Sequence, residues 1–207
     1  MTWIQTYSAQ AINFEDVEGG RAPGLRLRDI AHALAHICRY TGHVSTHYSV
    51  AEHSVLVSRL VLRWAARSGV EARQLPRWAA AALLHDAAEA YVGDVSRPLK
   101  QMLRKRTDAY DRLEEAFELA IAKQFVRPPE GCQELIGRAD MVMLRLERDA
   151  LLPGEPPQMW HVDELDIGDA SEVAQVQGWI GGLAERHFIE ACIDYGLGPH
   201  LEVDDAR

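Results

Sequence analysis

The run Trp78-Ala79-Ala80-Ala81-Ala82-Leu83-Leu84, which leads straight into His85-Asp86, constrains this chain more than any other feature. Alanine and leucine are strong helix formers, and an unbroken apolar run leaves a helix no polar face. Such a helix must be buried all round. Pro76 suits its N1 position and Gly93 its end, so the spacing predicts one helix from Pro76 to Tyr91. A titratable pair at the end of a buried helix needs compensation. A cation would satisfy imidazole and carboxylate together, whereas hydrogen bonds within the protein would do so separately, and the dipeptide alone leaves both open.

Most of the remaining chain also has helical periodicity. Val50, Val55, Leu56, Leu60 and Val61 follow Ser49 at helical intervals, with Glu52 at capping-box spacing. Asp29 is placed to cap a helix from Ile30 to Arg39, which Tyr40-Thr41-Gly42 breaks. Asp108 to Phe125 carries Leu113, Phe117, Ala120 and Ile121 on one stripe, and Cys132 to Leu152 makes another helix before Pro153-Gly154. A loop with Pro156, Pro157 and Trp160 precedes a long helix from about Ser171 to Tyr195, kinked at Gly181-Gly182. At the N-terminus, Trp3, Ile4, Tyr7, Ile12 and Phe14 alternate around Ser8-Ala9-Gln10 as a hairpin, followed by a loop over Glu15 to Gly24. Residues 202–207 read as a frayed polar tail. The expected fold is all-α: a helical bundle forming one domain over 1–207, with a core at 27–150, a small N-terminal β flap over 1–26 and a C-terminal helix at 171–195.

Charge and composition then exclude several roles. Lys plus Arg number 22 against 31 Asp plus Glu, a net charge of −9 that suits no protein whose partner is polymeric nucleic acid. An apolar content of 47% with 26% charged residues excludes wholesale disorder. No run approaches the roughly 18 apolar residues of a membrane span, and MTWIQTYS does not read as a signal peptide. Cys38, Cys132 and Cys192, odd in number and far apart, read as reduced thiols of a cytoplasmic protein.

His53 lies on or near the apolar face of the segment SVAEHSVLV, and Asp140 stands among Ile136, Ala139, Met141, Val142 and Leu144. Two polar residues on core-facing helices, with an adjacent pair on a third, point to one interior location, and a bundle core is a common place for a metal.

The order His53, His85-Asp86, Asp140 resembles the HD superfamily of metal-dependent phosphohydrolases. HDAAEAYVGDVSRPLK, from His85 to Lys100, is similar to the motif of bacterial 5′-deoxynucleotidases and their deoxynucleoside-triphosphate-hydrolysing relatives, including phage dATP hydrolases. YSVAEHSVLVS and the GRAD around Asp140 fit as well, so the resemblance covers roughly 27–150. It implies an HD-domain helical bundle holding one divalent transition metal (Zn, Co, Mn or Fe) on His53, His85, Asp86 and Asp140. It implies a small-molecule nucleotide substrate, dNMP or dNTP, losing phosphate to a water activated at that site. Glu89 matches the family's acid/base carboxylate, and the spacing would put it on one helical face with His85 and Asp86. Asp94 matches a second carboxylate near the attacking water. Arg39 is implied to grip phosphate, with Tyr40 against sugar or base, and Arg97 and Lys100, aimed by a turn at Pro98, to neutralise further phosphate charge.

Other readings of the same site are an alarmone or cyclic-nucleotide phosphodiesterase and a silent nucleotide-binding module. Retention of Glu89 and Asp94 speaks against silence. No histidine lies between Asp86 and Asp140, which argues against a di-iron oxygenase and favours a mononuclear site. His32 and His36 have the i, i+4 spacing of a zinc pair, but no Glu follows His32, so metalloprotease chemistry is excluded and packing or exposure is the better reading. His43 and His47 stand in the loop before His53, in possible reach of a phosphate or second metal. His161, His187 and His200 have no evident partners, and the resemblance leaves homo-oligomer formation open.

Overall fold

In a computed structural model that describes residues 2–21, 24–155 and 158–205, the chain is a helical bundle with one small sheet. Strands β1 (Trp3–Gln5) and β2 (Ala11–Asn13) pair antiparallel with Ile4 opposite Ile12, as the N-terminal alternation predicts. The expected loop after them contains a short helix, α1 (Phe14–Glu18), which starts because the Asn13 side chain accepts the Glu15 N–H.

Helix α2 (Leu27–His36) begins before the expected Asp29 cap. Asp29 is instead buried in its first turn, where Thr6 Oγ1, Ser8 Oγ and the Ser8 N–H all donate to its carboxylate at 2.6–2.7 Å. The carboxylate thus ties the flap to the bundle. After α2 the chain makes a short 3₁₀ segment (Arg39–Gly42) and returns alongside itself. The Val50 N–H donates to the Ile37 carbonyl and the Arg39 N–H to that of Tyr48, closing residues 37–50 into a clipped loop.

The bundle is organised around α3 (Val50–Arg67), which packs on α2, on α4 (Leu75–Leu83), on α8 (Cys132–Leu151) and on α10 (Gly181–Asp194). Ser49 caps α3 as the spacing predicts, its side chain accepting the Glu52 N–H, but the Glu52 carboxylate does not return to the cap. One apolar cluster joins α2 and the start of α3 to α10 and to α7 (Ala109–Gln124), through Leu34, Val55, Phe117 and Phe188. A second joins the middle of α3 to α4 and α8, through Leu56, Leu60, Ala82, Ala139 and Met143. Burying such side chains contributes about 1.5–3 kcal/mol each. Glu52, His53 and Ser54, in the first turns of α3, are buried with these clusters.

Several boundaries differ from the sequence expectation. The apolar helix stops at Leu83; residues 84–88 wind as turns, and α5 (Glu89–Val92) follows. α6 (Arg97–Arg104) replaces the expected turn at Pro98, which occupies its first turn. The long C-terminal helix is divided into α9 (Ala170–Val173), an irregular strap at 174–180, and α10, which Gly181 starts rather than kinks. α11 (Gly198–Asp205) makes most of the expected frayed tail helical in backbone. Pro156 and Pro157 lie outside the described residues.

Candidate active site

The break after Leu83 positions the central residues. Hydrogen bonds over residues 82–91 run from N–H to the carbonyl three residues back: Ala87 to Leu84 at 3.1 Å, Glu89 to Asp86 at 3.0 Å and Tyr91 to Ala88 at 2.9 Å. Such winding has about three residues per turn, so Asp86 and Glu89 eclipse. The helical face that was to carry His85, Asp86 and Glu89 is therefore a tight turn, with Glu89 directly after Asp86 on one side. The His85 Nδ1–H donates to the Ala82 carbonyl at 2.8 Å, which also accepts the His85 backbone N–H at 3.4 Å. The end of α4 thus also orients the imidazole.

The three segments that carry the four expected metal ligands meet at His53, which is fully buried on α3. Its Nε2 lies 3.4 Å from Asp86 Oδ2 and 3.3 Å from Asp140 Oδ1, while His85 Nε2 lies 3.2 Å from Asp86 Oδ2. Donor atoms of His53, His85 and Asp140 all stand within 4.8 Å of one another. The Nε2 atoms of His53 and His85 are both buried and make no hydrogen bond. Each ring is held through Nδ1, His85 by the Ala82 carbonyl and His53 by Glu147 Oε1 at 2.5 Å. A carbonyl or carboxylate at Nδ1 fixes the tautomer whose Nε2 lone pair faces inward, which is how histidine is presented to a metal. Two imidazole nitrogens and two carboxylates fit a divalent transition cation.

Glu147 is the main feature that the sequence reading missed. It is fully buried on α8, seven residues after Asp140 and so on the same helix face. Besides His53, it accepts from Tyr48 Oη at 2.9 Å, Tyr40 Oη at 2.7 Å and Arg39 Nε at 3.2 Å. Burial alone would raise its carboxyl, but Arg39, His53 and the bonds from His53 and Tyr40 hold it below the ordinary value. Burial and Arg39 likewise oppose a charge on His53, yet Glu147 and Asp140 outweigh them and push its pKa up to about 10. A cation and a proton would compete for the same Nε2 lone pair.

The neighbouring carboxylates separate. Against burial, His85, His53 and Arg39 hold Asp86 well below the usual range. Burial, then Asp86 and Asp94, push Glu89 up to about 9, and Glu89 Oε2 is buried without a hydrogen-bond partner. Burial also raises Asp94, against the influence of Arg39.

The four expected substrate-binding residues part company. The Arg39 guanidinium reaches the cluster, with Nη1 3.5 Å from Asp86 Oδ2 and Nε on Glu147. The Tyr40 hydroxyl is directed inward at Glu147, at 2.7 Å. Tyr40 and Thr41 both have left-handed backbones, with φ of 57° and 54°, a conformation costing about 1–2 kcal/mol for a side chain with a Cβ. Lys100 is engaged by Glu114 at 2.6 Å, which also accepts from the Tyr110 hydroxyl. Arg97 is on the exposed rim, 2.7 Å from His161 Nε2 and against Met141 Sδ. His43 is exposed, and His47 Nε2 turns to the Ala35 carbonyl at 3.5 Å. The histidines without expected partners have them: His161 with Arg97, His187 with Glu190 and Trp179, and His200 with Phe125.

Sequence comparison bears on this geometry. The YfbR-like 5′-deoxynucleotidase family matches residues 28–133, a span that includes Arg39, His53, His85, Asp86, Glu89 and Asp94 and stops before Asp140 and Glu147. The uncharacterized protein YfdR of Escherichia coli (strain K12) is similar to this chain at 34% identity over 148 residues, covering 72% of this chain and 71% of YfdR. An uncharacterized protein of Rhodobacter capsulatus is similar at 37% identity over 132 residues, covering 61% of this chain and 63% of that relative. No helix among the described residues is long and apolar enough to cross a membrane.

Proposed function

Because this chain belongs to the YfbR-like 5′-deoxynucleotidase family of HD-type hydrolases, we propose that it removes the 5′-phosphate from deoxynucleoside monophosphates with the aid of one divalent transition metal. The observation that carries the reading is the convergence of the unpaired, buried Nε2 atoms of His53 and His85 on Asp86 and Asp140, beside Glu89. A cation of the Zn, Co, Mn or Fe class held by those four residues would supply Lewis acidity toward the phosphoryl group and acidify water at neutral pH.

The protein's own side chains do the rest. Arg39, held by Glu147 through Nε, presents its remaining N–H groups to a phosphate in the planar arrangement that suits phosphate oxygens. Glu89, next to Asp86 on the tight turn and with a buried, unpartnered Oε2, is placed to orient the attacking water or pass a proton to the leaving oxygen of the sugar. Asp94 stands within electrostatic reach of Arg39 and Asp86 and would orient the attacking water.

The count of cations favours a monophosphate over a triphosphate. Arg39 is at the cluster, whereas Lys100 is engaged by Glu114 and Arg97 sits on the rim. One guanidinium beside one metal matches one phosphate. The free thiols of Cys38, Cys132 and Cys192 support the cytoplasmic assignment that forms part of this proposal.

The test is phosphate release from dNMP, NMP and dNTP panels by protein loaded in turn with Co²⁺, Mn²⁺ and Zn²⁺. Inorganic phosphate from dNMP, lost in His85→Ala, is the expected result. Turnover confined to dNTP would overturn the monophosphate assignment, and undiminished turnover in His85→Ala would overturn the site. Glu89→Gln is expected to lower kcat by about 10²–10⁴ while leaving the metal content unchanged.

A further inference from the structure

A second group of donors lies away from the interior cluster, where the end of α2 meets the start of α10. We propose that His32, His36 and Glu185 form a second divalent-metal site, of the class that takes Zn²⁺ and its first-row neighbours, which clamps α2 to α10.

His32 and His36 stand one turn apart on α2, with ring centroids 4.3 Å apart. Their spacing is that of a zinc pair, but the nearest further donors in sequence, Asp29 and Cys38, are not the third ligand. The fold supplies it from 149 residues further on, because Glu185 occupies the second turn of α10, which packs against α2. One donor atom from each of the three residues lies within 4.8 Å of the others. Donors sharing a zinc ion at about 2.0–2.2 Å stand roughly 3–4 Å apart, so small side-chain rotations close the set.

The rings are also presented correctly. His36 Nδ1 lies 2.7 Å from the His32 carbonyl, which only accepts, so Nδ1 carries the hydrogen and Nε2 keeps its lone pair. This is the arrangement that the Ala82 carbonyl imposes on His85 in the interior. Among the described residues, none makes a hydrogen bond to His36 Nε2. A Cβ at residue 181 would stand 3.0 Å from that nitrogen, so the glycine there lets α10 approach the imidazole. His32 is held differently: the Tyr7 ring stacks on it at 3.7 Å and 15°, and its Nδ1 meets Glu185 Oε2 at 3.0 Å.

The His32–Glu185 hydrogen bond accounts for two of the residues and leaves the direction of His36 Nε2 without a purpose. A cation accounts for all three. Two imidazoles and one carboxylate at a half-exposed position would leave remaining coordination to water. The clamp would join the β flap, through Tyr7, to α10, and would fix the end of α2 three residues before Arg39.

The site is separable from the interior one by stoichiometry. Protein stripped with chelator, reloaded with Zn²⁺ and dialysed is measured for metal per chain. The expected values are two ions for the wild type, one for His36→Ala, one for His85→Ala and none for His36→Ala/His85→Ala. In the His85→Ala background, Zn²⁺ is expected to raise Tm, and the added His36→Ala change to abolish the rise. Equal metal content in wild type and His36→Ala, or an ion retained by the double variant, would overturn the proposal. Should the interior site bind nothing, wild type and His85→Ala would each hold one ion and His36→Ala none, so the two sites fail independently. If His85→Ala does not fold, the comparison of wild type with His36→Ala decides, because His36 is exposed and its removal leaves the core intact.

Discussion

Glu52 and Glu147 are both fully buried, both lie close to His53, and neither is explained by burial of apolar surface. They differ in what satisfies them. Glu52 accepts three consecutive backbone amides of the 174–180 strap, from Gln177 at 2.7 Å, Gly178 at 3.0 Å and Trp179 at 2.5 Å. Glu147 accepts only side-chain donors: His53, Tyr48, Tyr40 and Arg39. Backbone amides are neutral and fixed, so burial still wins at Glu52 and raises its pKa despite the three bonds. Glu147 faces Arg39 and a histidine, so its carboxyl is lowered despite its burial. A buried carboxylate held by amides locks a strap; one held by titratable and cationic side chains organises a site.

The largest consequence concerns Glu147. Glu147→Ala leaves Arg39 without its buried partner and His53 without its Nδ1 acceptor, and removing one member of a buried charged pair costs about 3–5 kcal/mol. Denaturant unfolding should show that loss, and metal content should fall with it because His53 is no longer oriented. Glu52→Ala should cost less, about 1–3 kcal/mol for amides left without their acceptor, and should leave metal content and kcat unchanged. Equal loss of metal in both variants would erase the distinction drawn here.

The pH dependence of stability sharpens the same contrast. Glu147 is lowered from an ordinary value of 4.5, so its contribution is present above that value and is lost as pH falls through the native pKa. Glu52 is raised from 4.5, so its contribution is fully present below that value and is lost as pH rises through the native pKa. Stability curves of Glu147→Gln should therefore lose part of the acid limb, whereas Glu52→Gln should lose part of the decline on the other side. Identical curves would mean that neither carboxylate is coupled to folding as its partners imply.

What the sequence makes visible follows from this division. His53, His85, Asp86 and Asp140 are legible because a polar residue on an otherwise apolar helix face is anomalous without any knowledge of tertiary contacts. Glu147 escapes notice because it sits in LRLERDA, where Arg145, Arg148 and Asp149 make a charged residue look like part of a solvated face. Only its heptad distance from Asp140 marks it, and that signal needs the knowledge that Asp140 is buried. The break at Leu83 is hidden because alanine and leucine favour continued helix, and the side-chain bond that accompanies the stop, from the His85 ring to the Ala82 carbonyl, is not visible in composition. The strap at 174–180 is hidden for a similar reason: its conformation is fixed by Glu52, more than 120 residues earlier. The mutual approach of Glu185 and His32 is equally non-local.

The smallest expected effect tests whether strain matters at the rim of the Glu147 network. Tyr40→Phe and Tyr48→Phe each remove one hydroxyl donor from Glu147, at 2.7 and 2.9 Å, and each leaves three other donors in place. Each should cost about 1–1.5 kcal/mol, a Tm decrease of roughly 2–6 °C for a chain of this size. The backbones differ, however. Tyr40 and Thr41 are held left-handed in the segment that carries Arg39, and the Tyr40 hydroxyl is, with Arg39 Nε, one of two bonds that pin that segment to Glu147. Released, residues 40 and 41 gain by relaxing, and Arg39 loses its aim at the cluster. Tyr40→Phe should therefore raise KM for a phosphate-bearing substrate several-fold with kcat little changed, whereas Tyr48→Phe should match its stability loss and leave KM alone. Equal KM in the two variants would show that the left-handed turn positions nothing and that both tyrosines serve Glu147 in the same way.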